Sequence, residues 1–281
     1  MKYDLHVHTT LSDGKEEKII LLRRANEMGF SFMSFTDHNV IDNMSISDIN
    51  ALYEALYEEQ QRVSLIEGIE FDVFDFSKMH ILGYGIQDKE MVQRRLQEVA
   101  VRNDEICMQI LSNIGSHYGI HYTKEEILEG MKVPLLSKRV IIDWMVMKGH
   151  AKDYIESGAL FTNKKSPTYE RKVSLYSSEV LDLIVQSGGI PVLAHPSTLR
   201  LPDRELEDVI VGLKERGLRG IETLNTSKTT PEQQAFYTDL ARRHGLMTTS
   251  GTDFHNFPNY TDIGVDNGIS DEFIGKVGGR K

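Results

Sequence analysis

Residues 1–14 read MKYDLHVHTTLSDG. Leu5 and Val7 alternate with His6 and His8, so an extended strand puts both imidazoles on one face and both aliphatic side chains on the other. Two imidazoles side by side are unusual groups to turn toward a core. What they hold, and whether later strands end in similar groups, decides the fold.

Strand-like apolar runs recur along the chain: FSFMSFTDH (30–38), SLIEGIEF (64–71), MHILGYG (79–85), GIPVLAHP (189–196), LRGIETLN (218–225) and LMTTSGTDFH (246–255). Between them EEKIILLRRANEMG (16–29), SEVLDLIVQSGG (178–189) and PEQQAFYTDLARRHG (231–245) have the spacing of amphipathic helices. Each ends on glycine, which accepts the left-handed conformation of a helix C-terminus. Strand and helix in alternation predict an α/β protein with a parallel sheet or barrel.

Residues 88–174 break the rhythm, being charged and mostly helical in pattern, with EMVQRRLQEVAVRNDEICMQILSNIG (90–115) as the longest periodic run. The expected organisation is therefore a barrel from residues 1–87 and 175–281, with 88–174 a helical insertion that shapes the substrate pocket. The closing GKVGGRK (275–281) is expected to be loosely ordered.

Composition narrows the function classes. With 40% hydrophobic and 26% charged residues the chain is an ordinary globular one. No apolar run approaches the roughly 20 residues of a spanning helix, and the charged N-terminus lacks an apolar signal region, so no membrane role and a cytoplasmic location are expected. Cys107 is the single cysteine, which excludes an internal disulfide and a thiolate cluster. A net charge of −10 argues against binding long duplex nucleic acid, which needs clustered Lys and Arg. Any metal must be held by histidine and carboxylate.

Such groups stand at the C-terminal ends of the expected strands: His6, His8, Asp13, His38, Glu70, His80, His195, Asp253 and His255. Strand C-termini of a β/α barrel converge on one face, where these side chains can meet. Imidazole and carboxylate suit Mn, Fe or Zn, with Mg a further candidate, and nine ligands exceed the needs of one ion. Two or three divalent ions follow. Clustered ions of this kind activate water and neutralise phosphoryl oxygens, which is the chemistry of phosphate-ester hydrolysis.

Taken in order, DLHVHTTLSDG, FTDHN, EGIEF, HILGYG, VLAHP and SGTDFHN resemble the motifs of the PHP (polymerase and histidinol phosphatase) family. The resemblance spans nearly the whole chain and implies a distorted (β/α)7 TIM-like barrel with metals at the strand C-termini. It implies one ion on His6, His8, Glu70 and Asp253, a second on Asp13, His38 and His255, and a third on Glu70, His80 and His195. Asp13, Glu70, Asp253 and His255 are the residues implied nearest the chemistry.

GYGI and VLAHP resemble the branch with nucleotide phosphatases and a short-RNA exonuclease. The implied partner is a small phosphorylated substrate, a nucleotide-like monoester or the 5′ phosphate end of a short oligonucleotide. One departure lies in LSKRVIIDWMVMKG (136–149), where Val140 replaces a histidine and Asp143 an arginine of that branch. Lys138 and Arg139 occupy the basic segment and are the phosphate candidates, joined by Asn225 and Thr226 after the GIETLN strand. Asp37 and Glu222 are candidates to orient ligands. Histidinol phosphate and cyclic phosphates are alternative substrates. An amidohydrolase is disfavoured because no lysine stands in the strands where that class places its bridging carboxylated lysine. A noncatalytic metal module would be expected to have lost ligands, and none of the nine is missing.

Several residues invite simpler readings. Met108, Met131, Met145 and Met147 are expected to fill a core at helical spacing, and Trp144 to be buried. His117, His121, His150 and His244 lie outside the motifs and are expected to be structural.

Overall fold

The structure, a computed structural model, describes residues 1–133, 135–256 and 262–277. The chain divides into two compact units, Met1–Gln93 with Leu175–Lys281, and Arg94–Ser174. Among the described residues no helix is long and apolar enough to cross a membrane.

Seven strands form the first unit in sequential order: β1 (Tyr3–Val7), β2 (Phe32–Phe35), β3 (Ser64–Asp72), β4 (His80–Tyr84), β5 (Ile190–Leu193), β6 (Gly220–Asn225) and β7 (Met247–Gly251). All seven coincide with the runs read from the sequence. The circle closes where Val7 bridges Phe254 in parallel, His8 N donates to Phe254 O at 2.9 Å and Asp253 N to His6 O at 2.8 Å. This is a mixed α/β, distorted TIM-like barrel.

The expected all-parallel order fails at one strand. β4 pairs antiparallel with both β3 and β5. The reason is connection length, because residues 73–79 leave room for a hairpin but not for a crossover helix. A second departure lies in β1, whose alternation is interrupted by a bulge between Asp4 and Val7. Leu5 consequently packs with Leu82, Tyr84 and Val192, whereas Val7 packs with Leu21, Leu22 and Met33. The two aliphatic side chains do not share one apolar cluster.

Around the strands lie α1 (Lys18–Glu27), α2 (Ile46–Tyr57), the beginning of α3 (Lys89–Tyr118), then, beyond the insertion, α7 (Ser177–Gln186), α8 (Asp203–Glu215), α9 (Pro231–His244) and α10 (Asp271–Val277). The glycines expected to end three of them have φ of +71° at Gly29, +77° at Gly188 and +59° at Gly245. α2 opens on a reciprocal cap in which Ser45 and Asp48 satisfy each other's backbone N–H groups. Gly275–Val277 complete α10, and the remainder of the tail lies outside the described residues.

The second unit is helical: the body of α3, α4 (Lys124–Met131), α5 (Lys138–Met147) and α6 (Tyr154–Phe161). Its core gathers Cys107, Ile110, Ile114, Ile127, Ile141, Trp144, Met145 and Phe161. Full burial of side chains of this size contributes about 1.5–3 kcal/mol each. Met145 and Trp144 are buried as expected, and Met131 packs at the edge of this core. Met108 and Met147 are 42% and 54% exposed, because they fall on the outward faces of their helices.

Candidate metal centre

Two close backbone approaches assemble the mouth of the barrel. A Cβ on Gly251 would lie 2.5 Å from His6 Cβ, and one on Gly14 would lie 2.5 Å from the His8 carbonyl. Both glycines therefore permit chain segments carrying Asp253 and Asp13 to lie against β1. Two residues at strand ends have unusual backbones, His195 with φ +25° and Asp253 with φ +56°. Positive φ at non-glycine residues costs free energy and persists where surrounding contacts impose it, commonly at functional sites.

Glu70 is the hub of the side-chain arrangement. Its Oε1 lies 2.9 Å from His195 Nε2, 3.0 Å from His80 Nδ1 and 3.3 Å from His6 Nε2. Its Oε2 lies 3.2 Å from His38 Nδ1 and 3.3 Å from His8 Nε2. Asp253 Oδ1 stands 3.1 Å from His8 Nε2, 3.5 Å from His6 Nε2 and 3.6 Å from His255 Nδ1. Asp13 Oδ1 is 3.5 Å from His255 Nε2 and 3.6 Å from His8 Nδ1.

All nine residues named from the strand ends thus meet at one site. Four groups each offer ligand atoms within 4.8 Å of one another: His6, His8, Glu70 and Asp253; His8, Asp13, His38 and His255; Glu70, His80 and His195; and His38, Asp72 and His80. The floor formed by His6, His8, Glu70 and Asp253 is buried, whereas His38, His80 and His255 have side chains 22%, 25% and 21% exposed. The site is open on one side to a ligand from solvent.

Divalent ions fit these donors. His6 Nε2, both ring nitrogens of His8, His38 Nδ1 and Glu70 Oε2 are buried polar atoms without a hydrogen-bond partner. Unsatisfied polar atoms at this depth are costly in an ordinary core, and here all converge. Imidazole nitrogens and carboxylate oxygens are the donors that Mn, Fe and Zn accept.

Without ions the cluster balances its charge with protons. Burial works against ionising Glu70, but the imidazoles of His6, His38 and His80 hold its carboxyl well below the usual range. Asp253 is likewise held low, against burial, by His6 and His8. The same attraction, opposed by burial, pushes His8 up to about 9 and raises His6, which faces Glu222, Glu70 and Asp253. A cation held by these donors would take the place of those protons.

An outer layer of acceptors fixes the ligands. Glu222 Oε1 receives His6 Nδ1 at 2.9 Å, while Oε2 accepts the His195 backbone N–H at 2.7 Å and Asn225 Nδ2 at 3.2 Å. Asn225 is buried, and its Oδ1 accepts from Ser227 Oγ at 2.8 Å, so its amide is engaged with the protein and positions Glu222. Thr226 is exposed and donates its N–H to Gly251 O at 3.2 Å. Asp37 holds the loop that carries Asp13, accepting from Thr9 N, Thr9 Oγ1 and Ser12 Oγ at 2.7–2.8 Å.

Lys138 and Arg139 belong to the second unit. There Lys138 Nζ donates to Glu170 O and sits over the Tyr169 ring, and Arg139 Nε pairs with Asp143 at 2.8 Å. Of the histidines outside the motifs, His150 bonds Tyr122 and His244 pairs with Glu207.

Two residues escaped the sequence reading. Lys228 follows β6 and its ammonium is ion-paired with Asp253 Oδ2. No local pattern marks it, since NTSKTT reads as a polar loop. Asp72 stands two residues beyond Glu70 on β3, the same spacing that relates His6 to His8, so period-two alternation carried its signal.

A family profile described as PHP domain matches residues 4–199. A phosphoribosyl 1,2-cyclic phosphate 1,2-diphosphodiesterase from Eggerthella lenta is 27% identical over 259 residues, covering 90% of this chain and 93% of the relative. The 5′-3′ exoribonuclease Rnm of Escherichia coli is 26% identical over 278 residues, covering 93% of this chain and 88% of the relative. A solved structure from Bifidobacterium adolescentis, described as a metal-dependent phosphoesterase, superposes with a TM-score of 0.72 at 21% identity, over 98% of this chain and 94% of the other.

Proposed function

The chain belongs to the PHP domain family, and from that membership we propose that it is a metal-dependent phosphoesterase that hydrolyses a small, nucleotide-like phosphate ester or the 5′ phosphate end of a short oligonucleotide. The observation that carries the proposal is the convergence of unsatisfied ring nitrogens and carboxylate oxygens at one open barrel mouth. The relatives named for a cyclic phosphate and for RNA support a phosphoester substrate. The first of them also favours a second reading, in which the bond cleaved is that of a cyclic phosphodiester.

In this reading His6, His8, Glu70 and Asp253 hold one ion, Asp13, His38 and His255, with His8, a second, and Glu70, His80 and His195 a third. Bound divalent ions supply water activation at neutral pH and neutralise charge on phosphoryl oxygens. Glu222 keeps the proton of His6 at Nδ1 and so turns Nε2 toward the cluster. Asp37 fixes the loop that presents Asp13. Lys228, at the mouth beside Asp253, holds a non-reacting phosphoryl oxygen of the substrate by a charge-assisted hydrogen bond. Lys138 and Arg139 are the other phosphate candidates.

The test is product release by purified, Mn-loaded protein on AMP, a nucleoside 3′,5′-bisphosphate, a cyclic phosphodiester, histidinol phosphate and a 5′-phosphorylated trinucleotide. An Asp253→Asn variant and a chelator-treated sample run alongside. Turnover of a nucleotide-like ester or the trinucleotide, lost in both controls, is expected. Silence on every substrate, or turnover that survives both controls, overturns the proposal.

A further inference from the structure

We infer that Asp72 is a positioning residue of the metal centre: its carboxylate accepts the outward N–H of the ligand histidine His80 and holds that ring toward the Glu70–His80–His195 ion position. The inference rests on the reading of the cluster as a divalent-metal site. It adds a residue that neither the strand-end pattern nor the three ligand sets include.

Backbone register places Asp72. It lies directly across from His80 in the antiparallel β3–β4 pair, and it shares a face of β3 with Glu70. Asn39, adjacent to His38, clamps the other edge of β3 by donating its N–H to Glu70 O at 2.8 Å and accepting the Asp72 N–H on Oδ1 at 3.1 Å. His38 and His80 are thereby brought to the same carboxylate. Asp72 Oδ1 is 3.4 Å from His80 Nε2 and 3.5 Å from His38 Nδ1, and the two rings meet edge to face at 5.1 Å.

The two nitrogens of His80 divide the work. Nδ1 faces Glu70 Oε1 at 3.0 Å, the oxygen that also meets His195 Nε2, so Nδ1 is the nitrogen aimed at the Glu70–His80–His195 ion position. Nε2 then carries the proton, and the acceptor it faces is Asp72. His38 differs: its Nδ1 is 3.5 Å from Asp72 Oδ1 but 3.2 Å from Glu70 Oε2, so the nitrogen near Asp72 is the one turned to the cluster, and His38 is not a ring that Asp72 orients through an outward N–H. A ligand histidine that donates its other N–H to a carboxylate has its tautomer and ring plane fixed and is a more basic donor. Asp72 does this for His80.

Metal-stripped wild type, Asp72→Asn and Asp72→Ala are titrated with Mn by calorimetry, and bound Mn is counted by elemental analysis at saturation, with no substrate present. In Asp72→Ala one binding step is expected to weaken by about 10–100-fold, the range for a lost outer partner of a ligand. Full Mn content returns at saturation. Asp72→Asn, whose amide oxygen still accepts one N–H, is expected to recover part of the loss. Asp72→Ala that titrates like wild type overturns the inference, and so does equal weakening of every step, which marks a general loss of structure at the site. An ion missing at saturation also overturns it, since Asp72 is then itself a ligand. Wild type that takes up no Mn overturns the metal reading of the whole site, an outcome separate from any failure of the proposed substrates.

Discussion

In the barrel unit Asp4, His6, His8, Asp37, Glu70, His195, Glu222 and Asp253 are each no more than 2% exposed. In the helical unit the buried carboxylate among the described residues is Asp104, at 7%, and it is fully answered by Lys124 Nζ and by the Leu136 N–H at 2.8 Å. The two units thus use their interiors differently. The helical unit buries aliphatic and aromatic surface, which stabilises it directly. The barrel mouth buries charges that attract one another but leave polar atoms unsatisfied, an arrangement that costs stability until a cation completes it.

Three substitutions sharpen or break this comparison. The largest effect is expected from Phe161→Ala, which removes a fully buried ring from the helical core and destabilises that unit by about 3–5 kcal/mol. Urea unfolding measures it. Mn uptake below the transition stays at the wild-type level, and a variant that loses metal instead breaks the division of labour.

Glu222→Gln changes little volume, yet it replaces a carboxylate that takes three donors with an amide that must turn an NH2 toward at least one of them. Mn affinity is expected to fall about 10–100-fold with no large change in melting temperature. A fall in melting temperature with unchanged affinity makes Glu222 part of the core rather than of the site.

Lys228→Met is expected to have the smallest effect. It keeps the aliphatic stem and removes the ammonium, so KM for the phosphate substrate rises about tenfold, the scale of one hydrogen bond to a charged group, while turnover and Mn content change little. Inorganic phosphate should inhibit the variant correspondingly less. Equal KM in variant and wild type removes Lys228 from the substrate site.

Much of this was legible in the chain itself. The seven strands appeared as apolar runs, three helix ends as glycines, and the cluster as His and acid residues placed after strands. Such signals are local, because alternation, helical period and the left-handed preference of glycine act over a few residues. Asp37 illustrates the limit. Its place beside His38 suggested an acceptor for that ring, but its oxygens hold Thr9 and Ser12, residues remote in the chain.

The sequence by itself determined a β/α barrel and which side chains stand at its strand ends. Tertiary structure alone decided that a bulge parts Leu5 from Val7 and that Lys228 reaches the cluster. Those outcomes depend on register and on pairings between residues far apart in sequence. Their energies exist only after the strands have closed on one another, so no short window of the chain contains them.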